Sequence, residues 1–95
     1  MIIRQVTLKV SPDRQAELVT FFRDEYRPAM SRQPGFLAAR LLKVAGAEDE
    51  LQIELEFEGE EQAAAWRASP DHVRLSPRLK SFTPSLAVKV LSPLA

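Results

Sequence analysis

The side chains able to do chemistry in this sequence are few, and one histidine stands out among them. Imidazole titrates near neutral pH without help, so His72, the only histidine of the 95 residues, is the candidate general base. A second interpretation stays open, because His72 follows Asp71 in the first turn of a predicted helix, where an exposed histidine is ordinary.

Aromatic side chains offer a surface on which an apolar small molecule could lie. Trp66, the only tryptophan, follows three alanines and could form a flat pocket wall, or it could be a core anchor, because tryptophan buries a large area. Tyr26 and Phe22 share one face of a predicted helix and could line the same pocket. Core packing is the alternative and is favoured for Phe22, whereas the Tyr26 hydroxyl needs a partner, which favours a pocket rim.

Charged side chains on the predicted strands have two interpretations. Arg40 interrupts an apolar stretch and could hold a substrate anion or pair with a glutamate of a neighbouring strand, and the ion pair is favoured. Glu54, Glu56 and Glu58 lie on one strand face about 7 Å apart and could hold a hard cation. A solvated face with cross-strand ion pairs explains them better, so we expect no metal site.

Composition excludes several classes of protein. The 13 basic and 13 acidic residues balance, which disfavours electrostatic binding of nucleic acid. Cysteine is absent, so disulfide and thiolate chemistry are excluded. The longest apolar runs have four residues, whereas a membrane span needs about 20. Without a signal-peptide pattern, we expect a cytoplasmic protein with no membrane partner and one domain over residues 1–95.

Hydrophobic periodicity predicts four strands and two helical regions in the order β-α-β-β-α-β. The predicted strands cover residues 2–10, 36–44, 50–58 and 85–91. The first helix begins at Ser11-Pro12-Asp13, and Pro28 should kink or end it near Tyr26–Arg27. The second region covers 60–68 and restarts at Ser69-Pro70-Asp71, with Pro77 as a candidate interruption. This order predicts a ferredoxin-like α+β sandwich, an antiparallel sheet with helices on one face.

The sheet face away from the helices is predicted to be mixed. Its apolar members are Ile3, Phe36, Leu42, Val44 and Leu91. A monomer of this size would rarely leave such a patch exposed. We therefore expect a homodimer through the open sheet face, with two-fold symmetry.

Four segments resemble the antibiotic biosynthesis monooxygenase (ABM) domain family. They are Val10-Ser11-Pro12, Gln33-Pro34-Gly35-Phe36, the strand Leu51–Glu58, and the stretch from Ala65 to His72. The resemblance implies a dimeric α+β barrel with a ligand pocket between the sheet and the helices of each subunit. Some members of that family oxidise polycyclic phenolic or quinol substrates with O2, without metal or flavin, and others degrade haem.

The haem-degrading branch is disfavoured residue by residue. Its pattern has an Asn on the first strand, a Trp after the third strand and a His ten residues later. Trp66 matches, but Ser76 stands ten residues on, and His72, only six on, would face another side of a continuous helix. The first strand has no Asn. Gln5 is the nearest substitute, but strand parity directs Val6, not Gln5, towards the helices.

The resemblance and the residues together predict a cofactor-independent monooxygenase for an apolar or aromatic small molecule. His72 would act as base, and Gln5 or Arg40 would stabilise the substrate anion if they face the pocket. Trp66, Tyr26 and Phe22 would wall the pocket. No cofactor is expected. The alternative is a homodimer of the same fold that binds a ligand without turnover or is purely structural.

Overall fold

The four strands form one antiparallel sheet in the spatial order β2-β3-β1-β4. A computed structural model describes residues 1–95. The strands are β1 (Ile2–Lys9), β2 (Phe36–Lys43), β3 (Glu50–Phe57) and β4 (Leu86–Leu91). The helices on one face are α1 (Gln15–Phe21), α2 (Arg27–Ser31), α3 (Glu60–Ala68) and α4 (Pro70–Lys80). This arrangement confirms the predicted ferredoxin-like α+β fold.

Strand β3 shows how alternation divides the sheet into two faces. Its helix-facing residues are each at most 4% exposed, and they are Leu51, Ile53, Leu55 and Phe57. Glu54 and Glu56 point to the other face and are half-buried. Strand β1 pairs with β3 along its whole length, with Val6 opposite Ile53, so the even-numbered residues of β1 face the helices together with the odd-numbered residues of β3.

Pro28 was predicted to kink or end the first helical region near Tyr26–Arg27, and the region does not end there. A π-helical turn, Phe22–Tyr26, follows α1, and α2 then runs through Pro28 to Ser31. Proline lacks an N–H and its ring crowds the carbonyl four residues earlier, here Asp24, and the wider turn ahead of it relieves both problems. The turn also directs Phe22 and Tyr26 into the core, where each is 3% exposed.

Helix α4 is likewise continuous through Pro77, the candidate interruption. Leu75 and Leu79, on either side of the proline, are buried against the core. Tertiary packing of an apolar helix face outweighs the loss of one backbone hydrogen bond here. No helix of the protein is long and apolar enough to cross a membrane.

One predicted member of the open sheet face lies on the opposite side. A β-bulge between Phe36 and Ala38 changes the parity of β2, so Phe36 pairs with Phe57 on the helix face. The two rings meet edge to face with centroids 6.2 Å apart. Leu42 keeps its predicted place, because it pairs with Gln52 on the open face. The expected apolar patch is therefore smaller than the sequence indicated.

Candidate functional site

The junction between α3 and α4 positions the two site candidates of that region. Ser69 has an extended backbone and ends α3, and its hydroxyl donates to the carbonyl of Trp66 at 2.7 Å. The same oxygen accepts the backbone N–H of His72 at 3.1 Å and so caps α4. His72 would face away from Trp66 on a continuous helix, but the predicted break at Ser69-Pro70 is present and brings the two side chains together. Their rings pack edge to face with centroids 5.3 Å apart.

The aromatic contacts continue from α3 to the π-helical turn. Tyr26 meets Trp66 edge to face at 5.7 Å between centroids and stacks on Phe22 at 5.9 Å. Trp66 is 1% exposed, so it is a core residue. The burial agrees with the core-anchor interpretation, and the role of Trp66 as a pocket wall stays a prediction.

A cavity of about 160 Å³ lies between the β1–β4 half of the sheet and helix α4. Trp66, Tyr26 and His72 line it, and Val6 contributes to its floor, as strand parity predicted. Ser76, ten residues after Trp66, is also in the lining. The sheet side of the cavity is formed mainly by apolar side chains, among them Val6, Leu55 and Leu86, while Val88, Arg67 and Lys80 leave it open towards solvent.

The sequence analysis missed Arg4, the most polar group on the sheet side of this cavity. Arg4 lies on β1 opposite Leu55 and Val90, with the parity of the buried residues. Its Nε and Nη1 atoms are buried and have no hydrogen-bond partner. Burial lowers the pKa of Arg4, and the charge of Arg67 adds to this effect. The sequence does carry a signal for this residue, because Arg4 occupies a position of the alternating strand β1 at which an apolar side chain is expected.

The charges around the cavity favour a neutral histidine and an anionic ligand. Arg4, Arg67 and Lys80 line the cavity, and no carboxylate does. Burial lowers the pKa of His72 below its ordinary 6.5, the charge of Arg4 lowers it further, and a hydrogen bond to the Arg67 backbone opposes the shift. At neutral pH the imidazole is therefore uncharged and can accept a proton.

Tyr26 is held in its neutral form. Burial raises the pKa of its hydroxyl to about 12, while a hydrogen bond with Trp66 and the charge of Arg4 oppose the shift. Because the indole N–H can only donate, the Tyr26 oxygen is the acceptor of that bond. The Tyr26 hydroxyl therefore keeps its proton at neutral pH.

Gln5 and Arg40 lie on the opposite face of the sheet and do not line the cavity. Arg40 Nη2 donates to Glu54 at 2.8 Å and to Glu56 at 3.3 Å, which confirms the favoured ion-pair interpretation. Gln5 donates to the same Glu54 at 3.5 Å. Strand parity separates all four side chains from His72, so the condition for Gln5 and Arg40 to stabilise a substrate in this cavity is not met. No cluster of three or more His, Cys, Asp or Glu side chains that could hold a metal occurs in residues 1–95.

Phe22 borders a different cavity. This groove of about 350 Å³ lies between α1 and the β2 edge, and Phe22, Val19 and Leu41 form part of its lining. Arg27 covers the Phe22 ring at 5.6 Å from its centroid. Tyr26 thus contacts Phe22, which lines this groove, and Trp66, which lines the smaller cavity.

The fold and the aromatic-walled cavity define a small α+β sandwich protein with a ligand-sized space under its helices. The family model described as antibiotic biosynthesis monooxygenase matches residues 1–77, and the chain belongs to this family. No curated protein matches the sequence.

Solved structures share the fold at low sequence identity. A monooxygenase from the gene ActVA-Orf6 of Streptomyces coelicolor, in complex with nanaomycin D, is 20% identical, with a TM-score of 0.86 over 99% of this chain and 88% of that one. SnoaB, a cofactor-independent oxygenase from Streptomyces nogalater, is 16% identical, with a TM-score of 0.85 over 99% and 93%. Rv0793 from Mycobacterium tuberculosis is 19% identical, with a TM-score of 0.81 over 99% and 95%.

Proposed function

We propose that this protein is a cofactor-independent monooxygenase that oxidises a phenolic aromatic substrate in the cavity between its sheet and α4. The observation that carries the proposal is the placement of His72, an uncharged base, beside Trp66 in a cavity lined by three cations and no carboxylate. Such a site favours proton loss from a phenol, because the resulting anion is stabilised while the base is free to take the proton.

Proton transfer from the substrate hydroxyl to His72 is the first step. The phenolate that forms is electron-rich, and the positive charge of Arg4 and its cationic neighbours holds it in place. Trp66 and Tyr26 contact the aromatic ring and exclude water, which strengthens the attraction between the phenolate and the cations. Tyr26 stays protonated throughout, because its pKa is about 12.

Reaction with O2 follows, and the substrate supplies all four electrons. The phenolate transfers one electron to O2, and recombination of the two radicals forms a carbon–oxygen bond and a peroxide anion. The imidazolium of His72 returns its proton to that peroxide. The hydroperoxide then loses water, made from its terminal oxygen and the ring hydrogen on the same carbon, and a quinone carbonyl remains. One oxygen atom of O2 enters the product and the other leaves as water.

Two neighbouring structures support a small-molecule ligand and an oxygenase reaction without a cofactor. SnoaB is a cofactor-independent oxygenase, and the ActVA-Orf6 protein was solved with nanaomycin D as its ligand. The proposal takes from them the class of reaction, whereas the residues assigned to each step come from the cavity of this chain.

A homodimer through the open sheet face belongs to the same proposal. Leu42 and Leu91 are 36% and 39% exposed on that face, and Ile3 pairs with Leu91 there. A second sheet packed on this face would cover these side chains and surround the Arg40 ion pairs with protein. The bulge that moves Phe36 to the core leaves a narrower apolar strip for this contact.

Oxygen consumption tests the proposed function. Purified protein is incubated with a panel of phenols, quinols and hydroxyanthrones while dissolved O2 is recorded. Uptake above buffer that falls at least a hundredfold in His72→Ala, and stays unchanged in Arg74→Gln, supports the enzyme. Saturable binding of the panel without O2 uptake would instead support the alternative, a ligand-binding protein without turnover.

A further inference from the structure

The size and charge of the cavity narrow the substrate class beyond the proposed function on which this inference rests. We infer that the cavity takes a one-ring aromatic acid of the hydroxybenzoate type, whose carboxylate neutralises Arg4 and whose ring packs on Trp66. The inference concerns the ligand, and it would hold for binding even if no turnover occurs.

Volume is the first observation. The cavity encloses about 160 Å³. An apolar protein cavity of about 150 Å³ holds one benzene molecule, whereas sites for drug-sized ligands enclose roughly 300–1,000 Å³. One aromatic ring with small substituents therefore fills the space beneath α4, whereas a fused three-ring system would extend beyond it.

The second observation is a guanidinium without a counter-charge. Arg4 is half-buried, two of its nitrogen atoms have no hydrogen-bond partner, and it appears in none of the ion pairs of the protein. A cation partly removed from water and left unpaired is destabilising, and a carboxylate that binds beside it offsets that cost. Carboxylates are preferred partners of arginine, since the planar guanidinium offers several donors in one plane.

The position of Arg4 places the charged group of such a ligand. Arg4 and Arg67 line the cavity and also a second hollow of about 250 Å³ beside it. That second hollow carries Glu60, which would repel an anion, whereas the cavity beside Trp66 carries no carboxylate. The free energy of binding of an aromatic acid is therefore most favourable when its ring lies next to Trp66 and its carboxylate lies between the two cavities, beside Arg4 and Arg67.

Binding selectivity tests the inference without requiring any reaction. Affinities of 4-hydroxybenzoate, its neutral analogue 4-hydroxybenzamide and the three-ring 9-anthracenecarboxylate are measured by calorimetry without O2. NMR follows the indole N–H of Trp66 and the imidazole of His72, each the only one of its kind. We expect 4-hydroxybenzoate to bind at least tenfold more tightly than both other compounds and to shift both resonances.

Variants then assign the selectivity to one side chain. In Arg4→Gln the preference for the carboxylate over the amide should vanish, whereas Arg74→Gln, which removes a 58% exposed cation of α4 outside the cavity, should retain it. If Arg4→Gln does not fold, Arg4→Lys serves instead and should weaken 4-hydroxybenzoate at least threefold. Equal binding of acid and amide by the native protein, or tighter binding of the three-ring acid, would overturn the inference. If the native protein shows this binding selectivity but consumes no O2 with the phenolic panel, only the proposed reaction is refuted.

Discussion

The imidazole of His72 packs edge to face on the indole of Trp66, with ring centroids 5.3 Å apart and planes at 78°, although the two residues belong to different helices. The contact exists because Ser69 ends one helix and caps the next. A base, an aromatic wall and a helix junction are thus parts of one local structure, and most of the testable consequences concern that structure.

The charge of Arg4 should be visible in the titration of His72. Burial and the Arg4 charge both lower the pKa of the imidazole, and burial is the larger cause. Arg4→Gln removes a positive charge that disfavours the imidazolium, so the pKa of His72 should rise and still remain below 6.5. Proton NMR measures it directly, since the protein has one histidine. An unchanged pKa in Arg4→Gln, or a shift of equal size in Arg74→Gln, would contradict the assigned geometry.

The lowered pKa of His72 also predicts how stability depends on pH. Between the folded pKa and the unfolded value near 6.5, the unfolded chain binds more protons than the folded one. His72 should therefore destabilise the fold as the pH falls through this window, with no further loss from this group below the folded pKa. Urea denaturation of the native protein and of His72→Gln at pH 7.5 and at pH 5.5 checks this. The native protein should lose more free energy of unfolding than the variant.

Removal of the Ser69 hydroxyl should cost stability and disturb the site together. Ser69→Ala loses the cap of α4 and a buried hydrogen bond to Trp66, and N-cap losses typically cost about 0.5–2 kcal/mol. Ser31→Ala is the matched control, because that hydroxyl bonds only to the exposed Pro28 carbonyl. In thermal unfolding, the midpoint temperature of Ser69→Ala should lie well below that of Ser31→Ala. Equal midpoint temperatures for the two variants would show that the Ser69 cap does not stabilise the fold.

A charged substitution on the open sheet face tests whether the protein dimerises through that face. Leu42→Asp places a carboxylate in the apolar strip beside Gln52, where it would oppose the packing of a second sheet. Val73→Asp is the control, because Val73 is 65% exposed on α4, away from that face. Light scattering at micromolar concentration should show a dimer for the native chain and for Val73→Asp, and a monomer for Leu42→Asp. A native monomer would refute the dimer outright.

The fold was predictable because its signals are local and repeated. Strand β3 alternates over its whole length, and the two Ser-Pro-Asp segments mark the 3-10 turn Pro12–Arg14 that leads into α1 and the start of α4. Departures from the prediction arose where packing or backbone geometry overrides such patterns. Pro28 is accommodated by a π-helical turn, and a bulge redirects Phe36. Neither feature has a period that could be counted in the sequence.

The site was predictable only in part, for a related reason. Trp66, Tyr26 and His72 were identified from their chemistry, and they do line one cavity. Gln5 and Arg40 were considered as anion stabilisers, although parity alone places Gln5 on the other face. Arg4 was visible as an exception to the alternation of β1, but a single exception does not reveal that two of its nitrogens are buried without partners. That fact depends on contacts between distant segments.

The fate of isotopically labelled oxygen tests the central claim most directly. The protein is supplied with a phenolic substrate of the hydroxybenzoate class under labelled O2, and the product is examined by mass spectrometry. The account predicts one labelled oxygen atom in the product and one in water for each O2 consumed, with the rate at least a hundredfold lower in His72→Ala. Product oxygen that comes from water, or an undiminished rate in His72→Ala, would contradict the proposed chemistry.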